Sequence, residues 1–260
     1  VYKRQAEMTG QKIIEQRLRV DSDLRYLANV STSEALNSLT NSGISNDLRK
    51  LSSLSRNLLL SDPDYFSVTY IDAVSGETLF RNEQVFNSNI SSAAQLALAE
   101  STSELFDKAL ISGPEQPMSR WKIIPIQDSS VEEGRLQIEV TALTIYANNS
   151  KAPEGVFILH SNVSRELTSA NVAEYPTTLY VVDSSGRFIT HKNIEQEIGQ
   201  GRETEYTIAD EFPELDFIAL MSDRPSDASA YKNATGVEVI VGANRLSAAN
   251  SAGEDLLYIY

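Results

Sequence analysis

One phrase occurs twice in this chain: YFSVTYIDAVSGETLFRN from Tyr65 and TLYVVDSSGRFITHKN from Thr178. In each, a β-rich run ends in Asp (Asp72, Asp183), a Ser-Gly turn follows (Gly76, Gly186), and a second run leads to a basic or imidazole side chain. Asp and Ser bond to nearby backbone in turns and Gly accepts a positive φ, so each phrase predicts a β-hairpin. Two hairpins roughly 110 positions apart, about one domain length, predict two related modules in tandem rather than one enzyme fold.

The 260 residues, 41% hydrophobic and 22% charged, hold enough apolar material for one large or two medium cores. The longest apolar stretches, such as Gly155 to Leu159 and Leu256 to Tyr260, fall far short of the roughly 20 residues that a membrane-spanning helix needs. The sequence opens without a start Met or signal-peptide pattern and stops on LLYIY, so flanking segments are expected outside it. Cysteine is absent, which removes disulfides, thiolate metal sites and cysteine nucleophiles together. A net charge of −14 argues against nucleic acid or an anionic membrane surface as the main partner, and a solvated acidic surface explains the charge equally well.

Ile14, Leu18, Leu24, Leu27 and Val30 recur at near-helical spacing and predict a long amphipathic helix from Tyr2 to about Leu39. Its first part is basic: Lys3, Arg4, Lys12, Arg17, Arg19 and Arg25 stand against Glu7, Glu15, Asp21 and Asp23. That stretch either attracts lipid headgroups or is a solvated helix face. Leu48, Leu51, Leu54 and Leu58 predict a second helix, opening after NSGISND and closing before Asp62-Pro63. After the first hairpin come a helix over about 92–110, a GPEQP loop and three strands, RWKIIPIQ, RLQIEVTALTIYA and GVFILHSN, giving a five-stranded sheet. Residues 164–176 read as a short helix or linker. The second hairpin then opens a smaller set with strands TEYTIA, DFIALM, VEVIVGANRL and DLLYIY. The fold class is therefore α+β, a long N-terminal helix followed by two PAS-like antiparallel-sheet modules. A doubly wound parallel sheet would need a helix after nearly every strand, whereas YFSVTYID reaches ETLFRN through a tight turn.

The chemistry-bearing residues are few. His160 and His191 are the two imidazoles, and neither sits at a metal-ligand spacing. His160 ends the apolar run GVFIL and is either a pocket residue or a hydrogen-bonded core residue, while His191 at a strand end reads as structural or exposed. No GxSxG elbow or phosphate-binding GxGxxG is present, and the adjacent acids Glu132-Glu133 and Asp210-Glu211 read as solvated loop surface, which disfavours hydrolase, nucleotide-binding and glycosidase chemistry. Asn-x-Ser/Thr triplets at Asn29, Asn89, Asn148, Asn162 and Asn233 read as chance in an Asn/Ser-rich chain. No cofactor and no metal is expected.

With these residues laid out, the chain resembles double Cache domains, also called PDC or tandem PAS-like domains, the extracytoplasmic sensors of bacterial histidine kinases, diguanylate cyclases and chemoreceptors. The resemblance rests on the long N-terminal helix, DYFSVTYIDAVSGETLFRN, PIQ before a long strand and EGVFILHSNVS. In the second module it rests on LYVVDSSGRFITHKNIEQEIG and the acidic Phe-Pro piece ADEFPEL. It implies a helical stalk with a second helix over 1–60, a membrane-distal module over 61–175 and a smaller membrane-proximal module over 176–260. It also implies transmembrane helices on both flanks. The chain departs from the amino-acid-binding branch, because Arg120 and Trp121 are adjacent where that branch has Arg-x-Trp, and His160 takes the place of its last-strand Asp.

The expected function is a non-catalytic ligand-sensing domain of a periplasmic, inner-membrane signalling receptor. The parent is most readily a sensor histidine kinase, with a diguanylate cyclase as the other output, and the ligand shifts a population between helix arrangements. The expected ligand-binding residues are Tyr70 and Arg81 from the first hairpin, Arg120 and Trp121 on the third strand, Tyr146 and His160. The arginines would meet a carboxylate or other anion, and the aromatics would cover an apolar body. A homodimer through the N-terminal helix is the accompanying partner expectation. The alternative is an interaction module that docks a periplasmic binding protein or partner subunit and holds no small molecule.

Overall fold

The computed structural model describes residues 2–30, 44–84, 92–115, 117–120, 124–127, 135–146, 152–164, 180–191, 193, 196–197, 206–217, 226–246 and 256–259. The long helix α1 runs Tyr2–Val30 and buries Ile13, Val20, Leu24 and Leu27 at spacings of three to seven, one stripe of a 3.6-residue period. Its expected continuation to Leu39 lies outside the described residues. Helix α2 (Ile44–Ser61) buries Leu51 and Leu59 on the same core and stops before Pro63, which cannot continue a helix. Among the described residues, no helix is long and apolar enough to cross a membrane.

The first sheet holds β1 (Tyr65–Asp72), β2 (Thr78–Glu83), β3 (Met118–Arg120), β4 (Ile124–Gln127), β5 (Arg135–Tyr146) and β6 (Pro153–Asn162). Their order is β2-β1-β6-β5-β3, with β4 also on β5 and every pair antiparallel. The expected five strands are thus six. RWKIIPIQ does not form one strand, because the step from Arg120 to Ile124 opposes the shorter step from Thr141 to Ile138 on β5, so the register breaks between them.

Strand alternation sorts this sheet into two faces. Tyr65, Val68, Tyr70, Leu143, Ile145, Phe157 and Leu159 face α1 and α2, whereas Ile71, Ile138, Val140, Ala142, Val156 and Ile158 pack under α3 (Ser92–Ile111). On the first face Tyr70 stacks on Phe157 at 4.5 Å and lies over Gly155, where an added Cβ would come within 2.6 Å of the phenol ring carbons. Gly155→Ala is therefore expected to cost about 1–3 kcal/mol by overpacking. Chemical denaturation checks this, and an unchanged midpoint would show that the ring moves freely.

The second sheet has the order β8-β7-β11-β10-β9, with β7 (Tyr180–Val182), β8 (Phe188–Thr190), β9 (Ser226–Lys232), β10 (Glu238–Leu246) and β11 (Leu256–Ile259). The described part of TEYTIA, residues 206–209, is not a strand. Tyr206 leads into Thr207, which caps the short helix α4 (Ile208–Glu211), and Asp210 Oδ2 accepts from the Thr207 N–H and hydroxyl at 2.7 and 2.8 Å. This capping exchange overrides the β-propensity of Tyr and Thr. DFIALM beyond Phe217 lies outside the described residues, and β9, an Ala/Ser-rich edge strand, had no apolar alternation to announce it.

Both hairpins form, and a third turn repeats their chemistry. Asp72 Oδ1 accepts from the Val74 and Ser75 N–H groups (3.0 and 2.6 Å), and Asp183 Oδ1 from those of Ser185 and Arg187 (2.9 and 3.0 Å). Asn233 Oδ1 does the same for Thr235 and Val237 (3.1 and 2.9 Å) between β9 and β10. Gly76, Gly186 and Gly236 supply the positive φ of 70°, 81° and 77°. The bonds from Val74 and Ser75 hold the Asp72 carboxyl below its ordinary range.

Polar contacts fix α1 to the first sheet. Arg17 donates from Nε (2.8 Å) and Nη2 (2.5 Å) to Glu139 Oε1, Gln16 Nε2 donates to the Asn162 carbonyl (2.8 Å), and the Tyr65 hydroxyl donates to Asp23 (2.5 Å). Burial, then Asp23, pushes the Tyr65 phenol up. Arg19 pairs with Asp62 at 3.2 Å. Arg17 is therefore a buried anchor, while Arg19 pairs with Asp62 from an exposed position. Helix α1 also packs along β10 and β11, and Gln137 Nε2 of β5 donates to the Ile189 carbonyl of β8 (3.0 Å), so both helix and side chain join the two sheets.

Candidate functional site

The α3 face of the first sheet is largely apolar; Thr144 and Tyr146 meet the C-terminal end of α3, and a second polar patch lies toward its middle. Ser67 and Thr69 on β1 share that face with His160 on β6 and, on the neighbouring edge strand β2, with Arg81 and Glu83, which stand opposite Thr69 and Ser67. Thr102 of α3 completes the patch from above. Strand periodicity makes this arrangement: positions 67 and 69 point the same way, and cross-strand partners point with them.

His160 is fully buried. Thr102 Oγ1 donates to the Leu98 carbonyl (2.7 Å), so its 3.3 Å contact with His160 runs from the ring Nε2–H to the hydroxyl, and Nδ1 accepts from Ser67 Oγ at 2.9 Å. Burial first, and the positive charge of Arg81 second, hold the imidazole neutral by lowering its pKa to about 3. The ring is thus a neutral, hydrogen-bonded element of the patch. Thr69 is 2% exposed, and its hydroxyl has no hydrogen-bond partner among the described residues. A buried hydroxyl left unpaired costs about 1–3 kcal/mol. Arg81 is half-exposed and reaches Glu83 at 2.5 Å, so one cation and one carboxylate mark the edge of the patch.

The six expected residues separate. His160 and Arg81 come together around Thr69. Tyr146 shares their face but lies toward the other end of α3, where its hydroxyl donates to the Ser112 carbonyl and burial raises its pKa. Tyr70 faces the opposite way, into the α1/α2 core, where burial raises its phenol to about 12; the expectation that it faces a ligand is corrected. Arg120 ends β3 on the sheet edge, with its side chain outside the described atoms, and Trp121 lies outside the described residues. Ser67, Thr69, Glu83 and Thr102 were missed. The signal for two of them was present, since Ser67 and Thr69 are polar residues two apart in an otherwise apolar strand.

The second sheet carries its own buried polar cluster. Glu211 accepts from Tyr206 (2.7 Å) and Tyr180 (3.5 Å), lies 3.6 Å from His191 Nε2, and sits among the rings of Tyr180, Phe188, Tyr206 and Phe212. Burial and Glu211 push the Tyr206 phenol up. His191, whose backbone N–H donates to Glu197 at 2.7 Å, is a buried structural residue. Among the described residues, no group of three or more His, Asp or Glu could hold a metal ion.

A long helix laid along two antiparallel sheets, each opened by a hairpin that runs from an Asp to a Gly, is the double Cache-type fold. Solved structures with this architecture include the extracellular domain of the histidine kinase vpHK1S-Z8 (TM-score 0.64, 17% identity, 98% of this chain and 88% of that one). A domain of a sensory box/GGDEF family protein from Vibrio parahaemolyticus is similar (0.65, 16%, 98% and 92%). So is the sensory domain of the Campylobacter jejuni chemoreceptor Tlp3 with isoleucine bound (0.61, 12%, 100% and 91%). No protein-family model and no curated protein matches the sequence.

Proposed function

We propose that this chain is the extracytoplasmic ligand-sensing domain of a bacterial transmembrane signalling receptor, a sensor histidine kinase of the inner membrane anchored by flanking helices. The observation that carries the reading is the buried, unpaired Thr69 hydroxyl beside His160 and Arg81. A sheet face meant only for packing would be apolar there, as it is at Ile71, Val140 and Ile158. A ligand that offers an acceptor to Thr69 and a carboxylate or other anion to Arg81 would recover the cost of that hydroxyl. The ligand module corresponds to residues 61–175, the smaller module to 176–260 and the stalk with α2 to 1–60. The helix α1 carries the change in ligand occupancy along both sheets, and paired stalks in a homodimer carry it across the membrane.

A thermal-shift screen of the purified chain against amino acids, carboxylates, amines and purines tests this, because a ligand bound only by the folded state raises Tm. One chemical class is expected to give a concentration-dependent rise. Thr69→Val is expected to leave the unliganded Tm unchanged or higher, since the orphaned hydroxyl is gone, and to weaken the ligand-induced rise. Silence from every class, or an identical rise in Thr69→Val and Arg81→Ala, would remove this patch as the ligand site.

A further inference from the structure

On the opposite side of the first sheet, α2 and the edge strand β2 form a cleft of about 340 Å³ lined by Leu48, Arg49, Ser52, Arg56, Leu79 and Phe80. It shares no residue with the patch around Thr69. Three observations bear on what it could hold. First, β2 ends the strand order, and no strand among the described residues pairs with its outer side. The Gln84 N–H donates to the Phe66 carbonyl (3.1 Å), and antiparallel ladders alternate. Asn82 and Phe80 therefore turn their backbone groups toward β1, while Glu83 and Arg81 turn theirs outward; the alternation stops at the register shift beside Leu79. An edge of this kind accepts an extended segment as an added strand.

Second, Arg49 and Arg56 are exposed, stand about 10 Å apart along the helix, and form no ion pair among the described residues. No carboxylate lines the cleft, in a protein whose net charge is −14. Carboxylates two or four positions apart on an extended chain are spaced by about 7 or 13 Å, within reach of two flexible guanidinium groups. Third, the floor is apolar, with Leu79 37% exposed and Leu48 and Phe80 partly covered. A helix and a strand make only two walls, whereas small-molecule sites bury some 70–90% of their ligand. The shape suits a chain that continues past both ends.

We propose that the α2/β2 cleft is a docking site for an extended acidic segment of a partner protein, added to β2 as a further strand with its carboxylates on Arg49 and Arg56. Backbone pairing at Arg81 and Glu83 supplies the affinity, and the two arginines supply the selection for acidic sequence.

The probe is a fluorescein-labelled heptapeptide of alternating Glu and Val, titrated with the whole chain and followed by fluorescence anisotropy. A matching Lys/Val peptide reports sequence-independent strand addition. Saturable binding is expected for the Glu peptide alone, weakening with salt. It should fall roughly tenfold or more in the Arg49→Ala/Arg56→Ala variant, whose exposed side chains leave Tm unaltered. Hydrogen exchange at the amides of Arg81 and Glu83 is expected to slow on peptide addition. Four results would each overturn the proposal: no saturable binding up to about 1 mM, equal binding of the Lys peptide, no effect of the double variant, or no protection at those amides. Dimerisation of the chain abolished by the double variant would also overturn it, by giving the edge to a second copy. Arg81 and Glu83 give side chains to the patch and backbone to the added strand, so Thr69→Val, which alters neither backbone, separates the two readings: it should weaken the ligand response and leave peptide binding unchanged.

Discussion

Replacing Glu139 by alanine is expected to remove up to about 3–5 kcal/mol of stability, because it takes the buried carboxylate from the Arg17 guanidinium in the contact between α1 and the first sheet. The geometry sets the size: the Glu139 side chain is 1% exposed and that of Arg17 10%, so water can replace little of the lost pairing. A chain of this length should lose on the order of 10 °C in Tm. Replacing both partners, Arg17→Met with Glu139→Leu, should recover most of the loss, since two apolar side chains of similar volume need no counter-charge. Urea denaturation of the single and double variants decides the matter, and a single-variant loss below about 1 kcal/mol would place the pair among ordinary solvated surface pairs.

The second large effect is acid sensitivity centred on His160. Its folded pKa is depressed from 6.5 to about 3, so above pH 6.5 the ring is neutral in both folded and unfolded chains and pH has no hold on it. As pH falls below 6.5 the unfolded ring takes up a proton that the folded ring refuses, and stability drops by about 1.4 kcal/mol per unit until the folded pKa is reached. Between pH 7 and pH 5 the loss is on the order of 2 kcal/mol. His160→Gln removes this linkage. Whatever its stability at pH 7, its denaturation midpoint should fall less steeply toward pH 5 than that of the unaltered protein, and parallel slopes would show that His160 is protonated in the folded state. His191, near Glu211 in the second sheet, is common to both proteins and cancels from the comparison.

What could be read from the residues depended on whether the deciding interaction was local. The hairpins at Asp72 and Asp183 were legible because one carboxylate, one hydroxyl and one glycine within five residues specify the turn, and the same chemistry at Asn233 could have been read as a third copy. Helix α1 announced itself through Leu24 and Leu27, which are buried, but Ile14 and Leu18, read onto the same stripe, are exposed, and Ile13 and Val20 take the buried positions there. The two faces of a strand, by contrast, are symmetric in the sequence. Tyr70 and Thr69 alternate cleanly, but which of them meets α1 and which meets α3 is settled by helices that come before and after the strand, so the aromatic was assigned to the wrong side. The Arg17–Glu139 pair joins positions 122 residues apart, and nothing near either residue marks the other. At Tyr206 the local signals themselves conflicted, and the cap at Thr207 outweighed the strand preference.

The Arg17–Glu139 contact also gives α1 the mechanics of a rod held at a pivot. The part between Arg17 and Tyr2 extends about 22 Å at 1.5 Å per residue, and α1 touches β10 and β11 as well as the first sheet. A tilt of roughly 5° about the pivot would sweep the free end through about 2 Å, several times the displacement at the point of rotation. A sub-ångström adjustment of β5 beneath Glu139 would thus leave the domain magnified. The gain would be set by where along the helix the Arg17–Glu139 pair is placed.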